Sequence, residues 1–201
     1  MADTLGLPAG GRYHPRHRRT HVLQIMTAFS CISLIGPMGA GKSSIGRQLA
    51  RTLGYEFCDS DKELERRTGV DIPVIFDIEG EEGFRRREKV MIDELSQGDR
   101  RVLATGGGAI LDPETRQRLR ERGLVIYLET SIAEQLRRTR RDKNRPLLQT
   151  EDPESRLRSL MEQRQPLYRE TAHITVNTDR GGLQQLVRDI TRALDEWNEL
   201  R

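Results

Sequence analysis

The stretch Gly36-Pro37-Met38-Gly39-Ala40-Gly41-Lys42-Ser43 decides the fold. It fits G-x-x-x-x-G-K-[ST], and its surroundings suit that pattern. The apolar run Cys31-Ile32-Ser33-Leu34-Ile35 precedes it. After it, Ile45, Leu49 and Leu53 recur every four residues, with Ala50 beside them and Gly54 as a stop. Strand, glycine-rich turn and helix together make the pattern a phosphate-binding loop rather than an ordinary turn. The glycines let the backbone curl so that its N–H groups point at phosphate oxygens, and the helix N-terminus adds the positive end of its dipole. Lys42 is expected to reach the β- and γ-phosphates, and the Ser43 hydroxyl to ligate Mg²⁺.

Downstream, Tyr55–Cys58 reads as a second strand ending in Asp59-Ser60-Asp61, followed by a helix that Gly69 stops. A longer helical region begins at Ile72-Pro73, breaks between Gly80 and Gly83, and resumes from Phe84 to Leu95. Arg101–Thr105 is a third strand running into Gly106-Gly107-Gly108. Asp112 and Pro113 cap and open a helix that ends near Gly123. Leu124–Leu128 is a continuous apolar run, as a strand covered on both faces requires. A helix over 131–139, a polar segment over 140–152, a helix from Pro153 to about Glu170, a strand Ile174–Asn177 and an amphipathic closing helix complete the chain. Strands alternating with helices predict an α/β fold with a parallel sheet covered on both faces, whose ligands sit beyond the strands' C-terminal ends. The phosphate loop, Asp59/Asp61 and the three glycines all follow strand ends.

Composition narrows the partners. Of 201 residues, 35% are hydrophobic and 32% charged, with no apolar run long enough to span a bilayer, so no membrane partner is expected. The net charge of +3 arises entirely in residues 1–29, where Arg12, Arg16, Arg18 and Arg19 face Asp3 alone. The remaining residues balance, and only 4% of the chain is aromatic, so no nucleic-acid partner is expected. Residues 1–29 lack periodicity and read as a disordered basic extension, or as residues upstream of a start at Met26, ahead of one domain over 30–201. Their His14, His17 and His21 allow a metal or nucleic-acid tail, but short basic leaders are common. The two cysteines, Cys31 and Cys58, fall in predicted strands, as buried reduced thiols of a cytoplasmic protein would. No secretory signal is legible.

Several residue sets carry chemistry. A carboxylate at a strand end, Asp59 or Asp61, can hold Mg²⁺ through water or accept a substrate hydroxyl's hydrogen bond; Asp61 could equally cap the following helix. In Phe84-Arg85-Arg86-Arg87-Glu88, Arg85 and Glu88 are spaced to meet on one helix face, which would hold the arginine fork ready for a carboxylate; a solvated charged helix is the plainer reading. Three consecutive glycines permit close approach of backbone to a ligand. The basic run from Arg137 to Arg145 suits a lid that neutralises phosphate charge, or a nucleic-acid contact.

Taken together, Gly36–Ser43, Asp59-x-Asp61, Phe84-Arg85-x-x-Glu88, Gly106–Gly108, Arg145-Pro146-Leu147-Leu148 and Arg164-Gln165-Pro166-Leu167-Tyr168 resemble the shikimate kinases in order and spacing, over residues 31–195. The resemblance implies a P-loop, three-layer fold with a five-stranded parallel sheet in the order 2-3-1-4-5. It implies transfer of the ATP γ-phosphoryl group to the 3-hydroxyl of shikimate. Gly39, Ala40, Gly41, Lys42, Ser43, Ser44, Arg138 and Arg145 would bind the nucleotide, with Arg138 against the adenine. Ser43 would ligate Mg²⁺ directly and Asp59 through water. Asp61, Arg85, Gly107, Gly108 and Arg164 would bind shikimate, the two arginines taking its carboxylate. Lys42, Asp61 and Arg145 would be catalytic. Residues 61–92 would form the substrate-binding region and 140–151 the lid. Separately, no helix pattern carries an obvious second apolar face, so a monomer is expected. A sugar-acid kinase such as a gluconokinase, and a nucleotide-dependent regulator or nucleic-acid-binding P-loop protein, are the alternatives.

Overall fold

The computed structural model describes residues 29–140 and 150–200. Five strands form one parallel sheet: β1 (Cys31–Ile35), β2 (Glu56–Asp59), β3 (Arg101–Ala104), β4 (Gly123–Glu129) and β5 (Ile174–Asn177). Their order is β2-β3-β1-β4-β5, as the resemblance implies. The helices are α1 (Lys42–Leu53), α2 (Ser60–Thr68), α3 (Ile72–Leu95), α4 (Pro113–Arg122), α5 (Ile132–Thr139), α6 (Pro153–Thr171) and α7 (Leu183–Glu199), with a short 3₁₀ turn at Ala109–Leu111.

Strand alternation builds two cores. Ile32, Leu34, Val102, Leu124, Ile126 and Leu128 face α1 and α7, where Ile45, Leu49, Leu53, Leu186, Ile190 and Leu194 meet them. Cys31, Ile35, Leu103, Val125 and Tyr127 face the other layer, against Leu64, Phe84, Ile92, Leu119 and Tyr168. Burying each such aliphatic side chain contributes roughly 1.5–3 kcal/mol, so the central strands anchor everything attached to them. Phe29, which the sequence assigns to the extension, is instead 6% exposed in the first core, and its carbonyl accepts a hydrogen bond from Tyr55 Oη at 2.9 Å. An aromatic side chain at the entrance to a central strand finds apolar surface there that water cannot offer. Residues 1–28 lie outside the described residues.

The register places the chemistry. Leu34 of β1 and Asp59 of β2 both pair with Ala104 of β3. Three strands therefore end level, and the phosphate loop, the Asp59-Ser60-Asp61 turn and the glycine turn emerge side by side. Hydrogen bonds tie these exits together: Thr105 N–H to Leu34 O at 3.2 Å, and Gly106 N–H to Ser60 Oγ at 3.1 Å. The expected break in α3 is a kink at Gly80, at φ 69° and ψ −180°, where two helical segments meet. Among the described residues no helix is long and apolar enough to cross a membrane.

Candidate active site

The phosphate loop closes on α1 through Gly41, whose φ of 90° is costly for any residue with a Cβ. Lys42 Nζ donates to the Gly36 and Pro37 carbonyls at 2.7 and 2.8 Å, which folds it over the mouth of the loop. Ser43 Oγ donates to Asp59 Oδ2 at 2.6 Å. The other oxygen of Asp59 accepts from the Asp61 and Lys62 amides at 3.1 and 3.3 Å, so Asp59 caps α2. The sequence offered that cap to Asp61; it falls to Asp59 because Asp59 is the last extended residue, one place ahead of the helix. Ser43 and Asp59 present a hydroxyl and a carboxylate, hard oxygen donors of the kind Mg²⁺ takes alongside waters and phosphate oxygens. Among the described residues no group of three or more His, Cys, Asp or Glu side chains could hold a metal ion. A cation at this pair would need oxygens from a nucleotide to complete its shell.

A cavity of about 430 Å³ opens over the loop. It gathers Gly39, Gly41, Lys42, Ser43, Ser44, Asp59, Asp61, Gly107 and Arg138 from four strand exits. Ala40 is fully buried and can contribute only backbone. Arg138 Nη1 donates to Gly39 O at 3.1 Å and Nη2 to Thr178 O at 2.6 Å, joining the phosphate loop to the segment after β5. Lys62, Glu65 and Ile72, within the expected 61–92 region but not named individually there, also line the cavity, as does Thr105, which lies outside that region. Lys62 and Glu65 form a helical i,i+3 pair at 2.7 Å, which in sequence is indistinguishable from any solvated pair. Arg145 and nearly all of the expected lid lie outside the described residues.

A second constellation lies behind the glycine turn. Arg85 Nη1 donates to Glu88 Oε2 at 2.6 Å, and the Glu88 side chain is only 3% exposed. Burial raises the Glu88 carboxyl above its ordinary range, while Arg85 and then Arg164 pull it back. Arg164, on α6, is 4% exposed, and its Nε has no hydrogen-bond partner. No ion pair engages it among the described residues. Burial lowers its pKa from the usual arginine value; Tyr168 opposes that, and repulsion from Arg85 reinforces it. One turn further along α6, Tyr168 stacks on Tyr127, ring centroids 5.0 Å apart, and its hydroxyl donates to Gly107 O. That bond ties the helix carrying Arg164 to the glycine turn.

The glycines are seats for these groups. A Cβ on Gly108 would lie 2.3 Å from Arg85 Nη2. One on Gly106 would lie 2.1 Å from Glu88 Oε1 and 2.9 Å from Asp61 Oδ1. Gly106 is thus the point where Asp61, from the phosphate-loop cavity, meets Glu88, from the arginine cluster. The resemblance assigns ligand contact to Gly107 and Gly108, whereas Gly106 is the glycine pressed between Glu88 and Asp61; which glycine faces which side chain depends on α3 and is invisible locally. Arg85 and Gly108 line a separate cavity of about 370 Å³ rather than the one holding Lys42.

Comparison with known proteins follows this geometry. The family model described as "Shikimate kinase" matches residues 38–195. The chain belongs to the shikimate kinase family. Shikimate kinase of Thioalkalivibrio sulfidiphilus (strain HL-EbGR7) is 62% identical over 167 residues, covering 83% of this chain and 88% of its own. That of Halorhodospira halophila (strain DSM 244 / SL1) is 58% identical over 165 residues, covering 82% and 93%. The solved shikimate kinase from Acinetobacter baumannii, a complex with shikimate, superposes with a TM-score of 0.85 at 51% identity, covering 90% of this chain and 99% of its own. The shikimate kinase family is therefore the one the motifs implied, ahead of the sugar-acid kinase alternative.

Proposed function

We propose that this site transfers the γ-phosphoryl group of ATP to the 3-hydroxyl of shikimate, with Arg85 and Arg164 holding the acceptor's carboxylate. ATP-dependent phosphorylation of shikimate is the activity of the family to which the chain belongs. The observation that carries the residue assignment is the pair of guanidinium groups beside the glycine turn, Arg164 buried and Arg85 half-buried. Arg164 has a buried Nε with no hydrogen-bond partner, and Arg85 is held by a buried glutamate. Two such cations with one buried anion between them leave room for an acid.

The phosphate loop amides from Gly39 to Ser44 and the α1 N-terminus receive the nucleotide phosphates, and Lys42 moves from its loop carbonyls to the β- and γ-phosphates. Ser43 and Asp59 would hold Mg²⁺, which supplies charge neutralisation at the phosphates when bound. Arg138 lies against the adenine, and Arg145 serves the transferring phosphoryl group. Asp61 lines the same cavity as Lys42 and orients the acceptor hydroxyl. As the O3–phosphorus bond forms, the bond from phosphorus to the β,γ-bridging oxygen breaks. The hydroxyl proton leaves to Asp61 or to water, and ADP departs. The transition state is loose, so positioning and charge outweigh basicity. Residues 61–92 form the acceptor region and 140–151 the lid. The working state is a monomer, and the free thiols Cys31 and Cys58 support a cytoplasmic setting.

The test is a coupled ADP-release assay with shikimate, gluconate or no acceptor, on the wild-type chain and Arg85→Ala. We expect turnover with shikimate alone, and an Arg85→Ala enzyme that loses acceptor affinity while its ATP KM is largely unmoved. Turnover without acceptor, or equal loss of both affinities, would overturn the assignment.

A further inference from the structure

Glu81 lies outside every motif above, yet it touches Arg85. It opens the second half of α3, directly after the non-helical Gly80. Its Oε1 accepts from Arg85 Nη2 at 3.0 Å while Glu88 Oε2 accepts from Nη1 at 2.6 Å. One guanidinium therefore carries two carboxylates. They are unequal: Glu88 is 3% exposed, Glu81 47%. Glu88 cannot leave without becoming a buried uncompensated charge, whereas Glu81 can leave into water at little cost. Gly80 supplies backbone freedom next to it, and both Glu81 and Arg85 line the 370 Å³ cavity rather than the one containing Lys42 and Asp61.

We propose that Glu81 is a resident competitor for the acceptor's carboxylate. It occupies one edge of Arg85 in the acceptor-free enzyme and is displaced when a carboxylate binds. This rests on the reading that Arg85 holds that carboxylate. Two carboxylates cannot share one edge of a guanidinium without like-charge repulsion, so binding of the acid requires Glu81 to withdraw. Glu81 is a positioning residue that sets acceptor affinity and disfavours acceptors lacking an anion to exchange for it.

Steady-state kinetics on the full chain at saturating ATP test the idea with Glu81→Gln and Glu81→Ala. Both should lower the shikimate KM by about two- to fivefold, the range for a partly exposed ion pair, with kcat and the ATP KM unmoved. The gain should shrink as salt is raised. Glu82→Gln removes the same charge one residue away, on the rim of the same cavity, where among the described residues Glu82 pairs with exposed Arg86 at 2.8 Å and not with Arg85, and should leave the shikimate KM unchanged. An unchanged or higher KM in both Glu81 variants would overturn the proposal, as would an equal fall in Glu82→Gln. Arg85→Ala in the same series separates the two levels. If its shikimate KM does not rise, the reading of Arg85 fails. If it rises while the Glu81 variants show no gain, only the competitor role fails.

Discussion

Replacing Gly108 by alanine isolates one contact. Gly108 sits at φ −101° and ψ 0°, which alanine can adopt, so the backbone is not strained. The added Cβ would stand 2.3 Å from Arg85 Nη2 and 2.4 Å from Cζ. Ordinary contact needs about 3.5 Å, so the guanidinium must retreat by roughly 1 Å. The atoms displaced are the end of a flexible side chain, so the fold should survive, but weakening the ion pair to buried Glu88 by about 1.5–3 kcal/mol should lower the Tm by roughly 3–12 °C. The charge-assisted bond to Glu88 and the fork's aim should not survive intact. A misaimed fork should also lose its charge-assisted bond to the shikimate carboxylate, and a bond of that kind is worth about 1.5–3 kcal/mol, or roughly ten- to a hundredfold in kcat/KM for shikimate. The assay is coupled ADP release with each substrate varied in turn, beside a thermal melt. The ATP KM should hold, because Gly108 lines the cavity of Arg85 and not the one over the phosphate loop. Gly107→Ala is the comparison: its nearest protein atoms would be Gly36 O and Met38 N at 3.6 Å, so any loss there reports contact with a ligand. A Gly108→Ala enzyme with shikimate KM and kcat both within twofold of wild type would refute the view that Gly108 seats Arg85.

Lys42→Met should remove kcat by orders of magnitude while the melt is largely preserved, since the ammonium donates to two carbonyls of the phosphate loop, Gly36 and Pro37; substantial residual kcat would contradict its role at the phosphates. Burial holds the Glu88 carboxyl above its ordinary 4.5, so in the folded protein it gains its proton at a higher pH than in the unfolded chain. The folded state then binds more protons in that window, and this carboxyl's contribution to stability is present below it and lost as pH rises through it. Function runs the other way. Once Glu88 is neutral its hold on Arg85 weakens, so kcat/KM for shikimate should fall on the acid side from a pH above 4.5. Glu88→Gln should lower the plateau and flatten that limb; an unaltered limb would assign it to another group.

Much of this architecture is local and therefore legible. The phosphate loop is eight consecutive residues whose strand and helix flanks carry their own periodicities. The Asp112 and Pro113 start of α4 appears as expected, Asp112 accepting from the Thr115 amide at 2.7 Å. The Arg85–Glu88 pair follows from i,i+3 spacing on one helix. The strand order came from resemblance, because parallel strands leave no mark in sequence of which neighbour they choose. Where motifs from separate strand exits meet was set by packing. That Asp59 and not Asp61 caps α2 depends on where β2 ends against β3. That Gly106 lies between Asp61 and Glu88, that Tyr168 reaches Gly107 O across 61 positions, and that Glu81 shares Arg85 with Glu88 depend on how α3 and α6 lie on the sheet. The residues of the phosphate loop are neighbours in the chain, so a string of letters can display them. The acceptor side is built from residues far apart in sequence, brought together by burial of the apolar faces of α3 and α6, which is a property of the whole core.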